Sequence, residues 1–262
     1  MLTDAADPPP GLVKKKATGQ QEVGKAEAST FACRQRLLHS PTVTTTAATP
    51  RASIEAIDGA AVRAALARCE WLIGRHAAYL TRLDAVLGDG DHGDNLVIGF
   101  RAVREMLAEL PADASPGELL RAVGHRLVAA VGGASGPLYG TAFLEAGARI
   151  GDAPTVALDD LAPMFRAAAD GLARRGRCTI GDKTILDSLA PAAVELERGI
   201  EAGLTPIAAY GGAVRAAARG MRSTRPMVAR RGLAMRLGER ARGHLDPGAV
   251  SCLLLLRAIG GE

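Results

Sequence analysis

Aromatic residues are scarce in this chain: one Trp, three Tyr and four Phe among 262 residues, 3% of the sequence. Proteins that stack nucleobases interleave aromatics with basic residues, so a nucleic-acid footprint is not indicated. The scarcity also leaves Ala, Leu, Val and Ile to build the core, and an Ala- and Leu-rich core favours helices. Charge of one sign is equally lacking: the formal net charge is +4, with arginines scattered rather than gathered in one block. The four cysteines, Cys33, Cys69, Cys178 and Cys252, are widely spaced and form no C-x-x-C pair. Neither a zinc site nor a disulfide scaffold is suggested, and free thiols fit a reducing, cytoplasmic setting. No apolar run reaches the ~20 residues of a membrane span. The longest near the end, Ala249 to Leu256, is interrupted by Ser251 and closed by Arg257. What remains, 48% hydrophobic and 23% charged residues, is the composition of a soluble globular body.

Residues 1–52 look unlike the remainder, with Pro8-Pro9-Pro10, Lys14-Lys15-Lys16 and Thr44-Thr45-Thr46 but no sustained apolar periodicity. A disordered tail is expected there, without the apolar segment of a signal peptide. Its acidic Asp4, Asp7, Glu22 and Glu27 also weaken a transit-peptide reading. From residue 53 to 262 helical spacing takes over. Ile57, Ala61, Ala64, Leu66, Leu72 and Leu80 mark a first long helix, and Leu96, Phe100, Val103, Leu107 and Leu110 a second. Ser115-Pro116-Gly117-Glu118 is a capping-box start for a third. Further helices are expected over about 138–149, 158–174, 186–200, 207–221 and 247–259, the last two opened by Thr205-Pro206 and Asp246-Pro247. No convincing period-two strand is present. The expected fold is all-α: one closed barrel or bundle of eight antiparallel helices.

The chemistry concentrates in the loops. Asp84, Asp89, Asp91 and Asp94 fall close together, with Gly88, Gly90 and Gly93 between them and His92 and Asn95 beside them. Carboxylates crowded into a Gly-rich turn repel one another unless a cation sits among them, and oxygen-only ligands favour Mg²⁺ or Ca²⁺. The plain alternative is a solvated acidic turn. A second loop, Gly132-Gly133-Ala134-Ser135-Gly136, precedes a helix whose free N–H groups suit phosphate. Its plain alternative is a small-residue turn between helices. Together the two loops read as a divalent cation beside nucleotide phosphates. Walker A and kinase Gly-rich patterns are absent.

Four stretches now carry a resemblance: Leu83-Asp84 through Gly88-Asp89-Gly90-Asp91-His92-Gly93 to Asn95; Gly132 through Thr141; Gly181-Asp182-Lys183-Thr184 with Asp187, Leu189 and Pro191; and Leu237-Gly238-Glu239-Arg240 with Gly243-His244 and Asp246-Pro247-Gly248-Ala249. In order and spacing, residues 54–259 closely resemble the nucleotide-binding L subunit, or L domain, of dihydroxyacetone kinases. The resemblance implies a barrel of eight antiparallel helices holding ATP or ADP at one rim, with two Mg²⁺ ions bridged to Asp84, Asp89 and Asp91. It implies that His92, Gly93 and Asn95 lie beside phosphates and metals. Ala134, Ser135 and Gly136 would form the phosphate loop, Gly176 would line the adenine side, and Asp246, Pro247 and Gly248 would close over the nucleotide. Asp182, Lys183, Thr184 and Asp187 would mainly shape the site, with Lys183 long enough to reach a phosphate.

In that family the sugar is bound covalently, through a histidine, on a separate K subunit, so the chain would be a phosphotransferase only with its partner. The donor would be ATP, or an ADP coenzyme recharged by a phosphotransferase-system M protein. A homodimeric core within the hetero-complex is expected. One departure stands out. Leu233 occupies the position where the family carries a nucleotide-contacting Arg, with Arg231 and Arg236 nearby. Asp94 is a less usual fourth acid. Two other readings remain: a kinase subunit for a related ketose such as erythrulose, and a non-catalytic nucleotide-binding regulator.

Overall fold

A computed structural model describes residues 56–262; the tail expected over 1–52, with Cys33 and His39, lies outside the described residues. The described chain forms eight α-helices: α1 (Gly59–Leu87), α2 (His92–Glu109), α3 (Pro116–Ala130), α4 (Ser135–Ile150), α5 (Leu161–Gly176), α6 (Leu186–Glu201), α7 (Pro206–Ser223) and α8 (Pro247–Gly260). Each helix packs on its neighbours in sequence, and α8 returns to pack on α1. The ring is therefore closed, and α8 is buried along most of its length.

The helix starts follow from local chemistry. Ser115 accepts from the N–H of Glu118, and the Glu118 carboxylate accepts from the N–H of Ser115 at 2.8 Å, completing the capping box. Thr205 and Asp246 cap α7 and α8 through the N–H groups of Ala208 and Ala249, each with Pro in the first turn. Asp58 caps α1 in the same way, through Ala61.

Two short strands correct the strand-free expectation. β1 (Ala56–Asp58) pairs antiparallel with β2 (Thr155–Ala157), so the chain that was expected to be helical at Ile57 is extended there. Three-residue strands are too short to show an alternating pattern in sequence, which is why periodicity missed them. Residues Leu158–Asp160 form a 3-10 turn ahead of α5 rather than its first turn. The Arg-rich connection between α7 and α8 is also structured: Leu233–Ala241 is 3-10 helix, kinked at Gly238 with φ 55°.

Alternation of direction around the ring decides where the loops go. The ends of α1, α3, α5 and α7 and the starts of α2, α4, α6 and α8 share one rim, so all four motif-bearing loops gather there. The small sheet and the α2–α3 and α6–α7 turns belong to the other rim. Between the rims the core is Leu and Ala with few aromatics, including Leu80, Leu96, Leu127 and Leu196. An apolar cavity of about 500 Å³ lies within the ring, lined among others by Leu66, Phe143, Phe165, Tyr210 and Leu256. The three described cysteines, Cys69, Cys178 and Cys252, are free and buried.

Candidate metal and nucleotide site

Asp84 lies in the last turn of α1, and its carboxylate is what shapes the acidic loop. One of its oxygens accepts from the N–H groups of Gly90, Asp91 and His92 at 3.0, 3.1 and 3.2 Å. The loop can wrap this closely because Gly90 takes a φ of 77°, a left-handed conformation suited to glycine. A Cβ on Gly88 would stand 2.4 Å from the other Asp84 oxygen. Asp84 is buried, while Asp89 and Asp91 are exposed. One oxygen from each of Asp84, Asp89 and Asp91 comes within 4.8 Å of the others, a spacing one cation can bridge. Asp94 is outside that group; it sits in the first turn of α2. The Asp91 carboxyl is pushed up, first by partial desolvation and then by Asp89 and Asp84, with the Asn95 side chain opposing. A bound cation removes the cause of that charge crowding.

Gly93 lets α2 start against α1. A Cβ there would meet Ala77 O at 2.1 Å and Thr81 Oγ1 at 2.6 Å. Backbone cannot yield as a flexible side chain does. Gly93→Ala is therefore expected to lower stability by about 3 kcal/mol, at the upper end of overpacking costs, read as a shift in the urea midpoint.

The phosphate-type loop stands beside this cluster. A Cβ on Gly132 would lie 3.3 Å from the Asn95 side chain, which joins the two loops. Gly133 has a φ of 64°, and α4 begins at Ser135 with no side chain capping its N–H groups. An uncapped helix start facing an acidic, cation-ready loop is suited to a cation–phosphate pair. Gly176 ends α5 close to α4: a Cβ there would be 3.2 Å from Leu138 Cδ2.

His92 is buried, with both ring nitrogens engaged. Nδ1 is 3.0 Å from Ser135 Oγ and Nε2 is 2.8 Å from Ser251 Oγ. Ser251 is also 2.6 Å from the Tyr139 hydroxyl and donates back to the carbonyls of Pro247 and Gly248 at 3.0 Å. A neutral imidazole donates through one of these nitrogens and accepts through the other, and the two serine hydroxyls turn to match. Burial pushes the His92 pKa down, against Asp84 and Asp89, in keeping with this neutral ring. The chain of bonds ties the acidic loop, the α4 start and the α8 start into one unit. Ser251 went unrecognised in the sequence because it reads as an interruption of an apolar run. Its spacing from Pro247, one helical turn away, was the available signal.

Asp246 caps α8, and burial pushes its carboxyl up to about 7 from the usual 3.8; the Ala249 N–H and Lys183 oppose, while Asp187 and Asp84 add. Between those values the folded chain retains a proton that the unfolded chain has released. This contribution to stability is complete below about pH 4 and is lost as pH rises through about 7. Asp246→Asn keeps an N-cap acceptor but cannot titrate. In EDTA, its unfolding free energy from urea titration should gain on wild type by about 4 kcal/mol between pH 4 and pH 8.

Lys183 turns its ammonium to the backbone. It is 1% exposed, and its ammonium is held by backbone carbonyls of Thr224 and His244. Asp182 and Asp187 shape their own loop: Asp182 accepts from the Thr179 N–H, and Asp187 from those of Gly181 and Thr184. Leu233 is 41% exposed. Arg231 donates to the Arg177 carbonyl and lies 3.7 Å from Asp182, next to the end of α5.

The DAK2 domain pattern matches residues 86–261 of this chain. The chain belongs to the DAK2 domain family. It is 44% identical over 190 residues to the ADP-binding subunit DhaL of PEP-dependent dihydroxyacetone kinase 2 from Listeria innocua, covering 72% of this chain and 87% of that protein. It is 40% identical over 194 residues to the corresponding ADP-binding subunit from Escherichia coli, covering 74% of this chain and 92% of that protein. Among solved structures, the dihydroxyacetone kinase from C. freundii in complex with AMP-PNP and Mg²⁺ superposes with a TM-score of 0.59 at 24% identity. That match takes in 85% of this chain but 37% of the other, so the DAK2 domain here spans little more than a third of that enzyme. At this identity the likeness concerns the fold, and it agrees with the closed all-α barrel. The matched pattern begins two residues after Asp84, so Asp84 enters the site through its geometry rather than through the pattern.

Proposed function

We propose that this DAK2 domain is the nucleotide- and Mg²⁺-binding subunit of a ketose kinase of the dihydroxyacetone kinase type. The observation that carries this reading is the convergence of three carboxylate oxygens within 4.8 Å on the rim that also bears the uncapped α4 start. Hard oxygen donors of this kind fit Mg²⁺, and relatives named as ADP-binding subunits support a nucleotide as the other ligand. Asp84, Asp89 and Asp91 would hold the metal, with a count of two ions. His92, Gly93, Asn95, Ala134, Ser135 and Gly136 would surround the phosphates. Gly176 and Asp246–Gly248 would flank the nucleoside. When bound, Mg²⁺ neutralises charge on the phosphates and on the group being transferred.

The chain's own residues do the positioning. Asp84 fixes the loop through three N–H groups and leaves one oxygen free of them. His92 orients Ser135 from below. The uncapped α4 N–H groups would be donors to a phosphate, and the α7–α8 connection packs on Leu87 beside the acidic loop. The ketose and its binding histidine belong to a separate K subunit, and His92, with both nitrogens occupied, is not available for that role. The domain unit is residues 53–262, acting in the cytoplasm, and a homodimeric core within the complex is part of the proposal.

The test is reconstitution. Purified chain is mixed with a dihydroxyacetone-binding K subunit, and ketose phosphate is measured with ATP or with phosphoenolpyruvate and the phosphotransferase M protein. Transfer with either donor supports the reading and names the donor. Mg²⁺-dependent nucleotide binding without transfer to dihydroxyacetone or erythrulose under any donor favours the regulator.

A further inference from the structure

The connection between α7 and α8 leaves at Thr224 and returns at His244, and its neck is closed by several bonds. The Gly243 N–H donates to Arg225 O at 2.8 Å, and Arg225 Nε donates back to Gly243 O at 2.9 Å. Arg242 donates to Pro226 O at 2.6 Å, and the Asp246 N–H donates to Thr224 Oγ1 at 3.0 Å. Beneath this neck lies Lys183. Its Nζ donates to Thr224 O at 2.8 Å and to His244 O at 2.5 Å, the carbonyls on the two sides of the opening. Lysine is almost never fully buried unless it is paired, yet this one is 1% exposed. Its backbone is left-handed, φ 62°, uncommon for a side chain with a Cβ. Such a conformation persists when the surroundings over-determine it. Here Asp187 pins the loop on both sides, accepting from Gly181 N–H and Thr184 N–H at 2.5 and 2.7 Å.

The body of the segment is seated on the site. Ala229 and Ala241 are buried against Leu87, with Ala234 and Leu237 packed alongside. Leu87 is in the last turn of α1, between Asp84 and Asp89. On its other side Arg231 holds the Arg177 carbonyl beyond α5. The neck therefore sets how the segment meets both the acidic loop and the α5 end.

We infer that Lys183 is a positioning residue: its buried ammonium clasps both ends of the Arg225–Gly243 segment and so sets that segment against the metal cradle. The clasp serves the nucleotide site proposed above and rests on that reading for its functional consequence, though not for its structural one. Both of the ammonium's bonds go to backbone carbonyls, and a purely local role is at odds with two acceptors that are far apart in sequence from Lys183 and from each other.

The experiment is hydrogen exchange by mass spectrometry on the full chain, with Mg-ADP affinity measured in parallel. Lys183→Met keeps the length of the stem and removes the donors. In ligand-free protein, amides of residues 226–242 should exchange at least about tenfold faster, the scale of losing hydrogen bonds from a charged group. Amides of α3 and α4 should be unchanged, and the Mg-ADP Kd should rise by a similar factor. Trypsin should cut the segment sooner, since residues 226–242 carry five arginines. Unchanged exchange in 226–242, or an equal rise throughout the barrel, overturns the inference. If K183M does not accumulate as folded protein, Arg225→Ala opens the same neck from its exposed side. It should show the same local pattern with a smaller amplitude, and no local change in R225A overturns the inference equally. Absence of Mg-ADP binding by the wild type would defeat the nucleotide reading, while the ligand-free comparison would still decide the clasp.

Discussion

Asp89→Ala is expected to abolish Mg²⁺-dependent nucleotide binding while leaving the domain folded. Asp89 is exposed on the turn, so its removal costs no packing and relieves repulsion from Asp84 and Asp91. Its loss removes one of the three carboxylates that would hold the cation, and with it the proposed link to the phosphates. Asp84→Ala should differ. It loses the same binding but also leaves three loop N–H groups without their acceptor, at about 1–3 kcal/mol for the buried fraction. Calorimetric titration gives the binding, and urea unfolding gives the stability. The expected pair of results is a folded, non-binding D89A and a destabilised, non-binding D84A. Wild-type affinity in D89A would remove the metal assignment.

The second large effect is dependence on a partner. The isolated chain should give no ketose phosphate above the solution rate, because positioning of the acceptor supplies much of the acceleration in phosphoryl transfer. Holding the acceptor in line is worth several orders of magnitude, on the order of 10⁵ M or more in effective concentration. Adding a K subunit should therefore turn an undetectable rate into a measurable one. Product accumulation by the chain alone, at rates near those of the mixture, would show that the acceptor site lies on this chain.

Much of the fold was legible because the helices carry apolar stripes and four of them begin at a capping side chain. Ser115 with Glu118, Thr205 with Pro206, and Asp246 with Pro247 announced three starts that the structure places at those residues. Closure of the ring was legible only through the family resemblance, since spacing within a helix does not say which helix the last one meets. The strands Ala56–Asp58 and Thr155–Ala157 were invisible because three residues cannot show a period. Within the site, the acidic cluster was readable from charge density alone. The roles of Ser251 and Lys183 were not. Ser251 makes its bonds to residues far away in sequence, His92 and Tyr139. Lys183 was expected mainly to shape the site, with a phosphate within its reach, and its burial and two carbonyl partners show the contacts by which it does the shaping. Leu233 remains a departure. Arg231, two positions earlier, is committed to Arg177 and Asp182 at the α5 end.

The central claim is that this rim binds nucleotide through a cation held by Asp84, Asp89 and Asp91. Titrating ADP into the wild-type chain, once in Mg²⁺ and once in EDTA, tests it most directly. The account predicts saturable binding in Mg²⁺ that is lost in EDTA. Equal affinity in both solutions, or no binding in either, would contradict it.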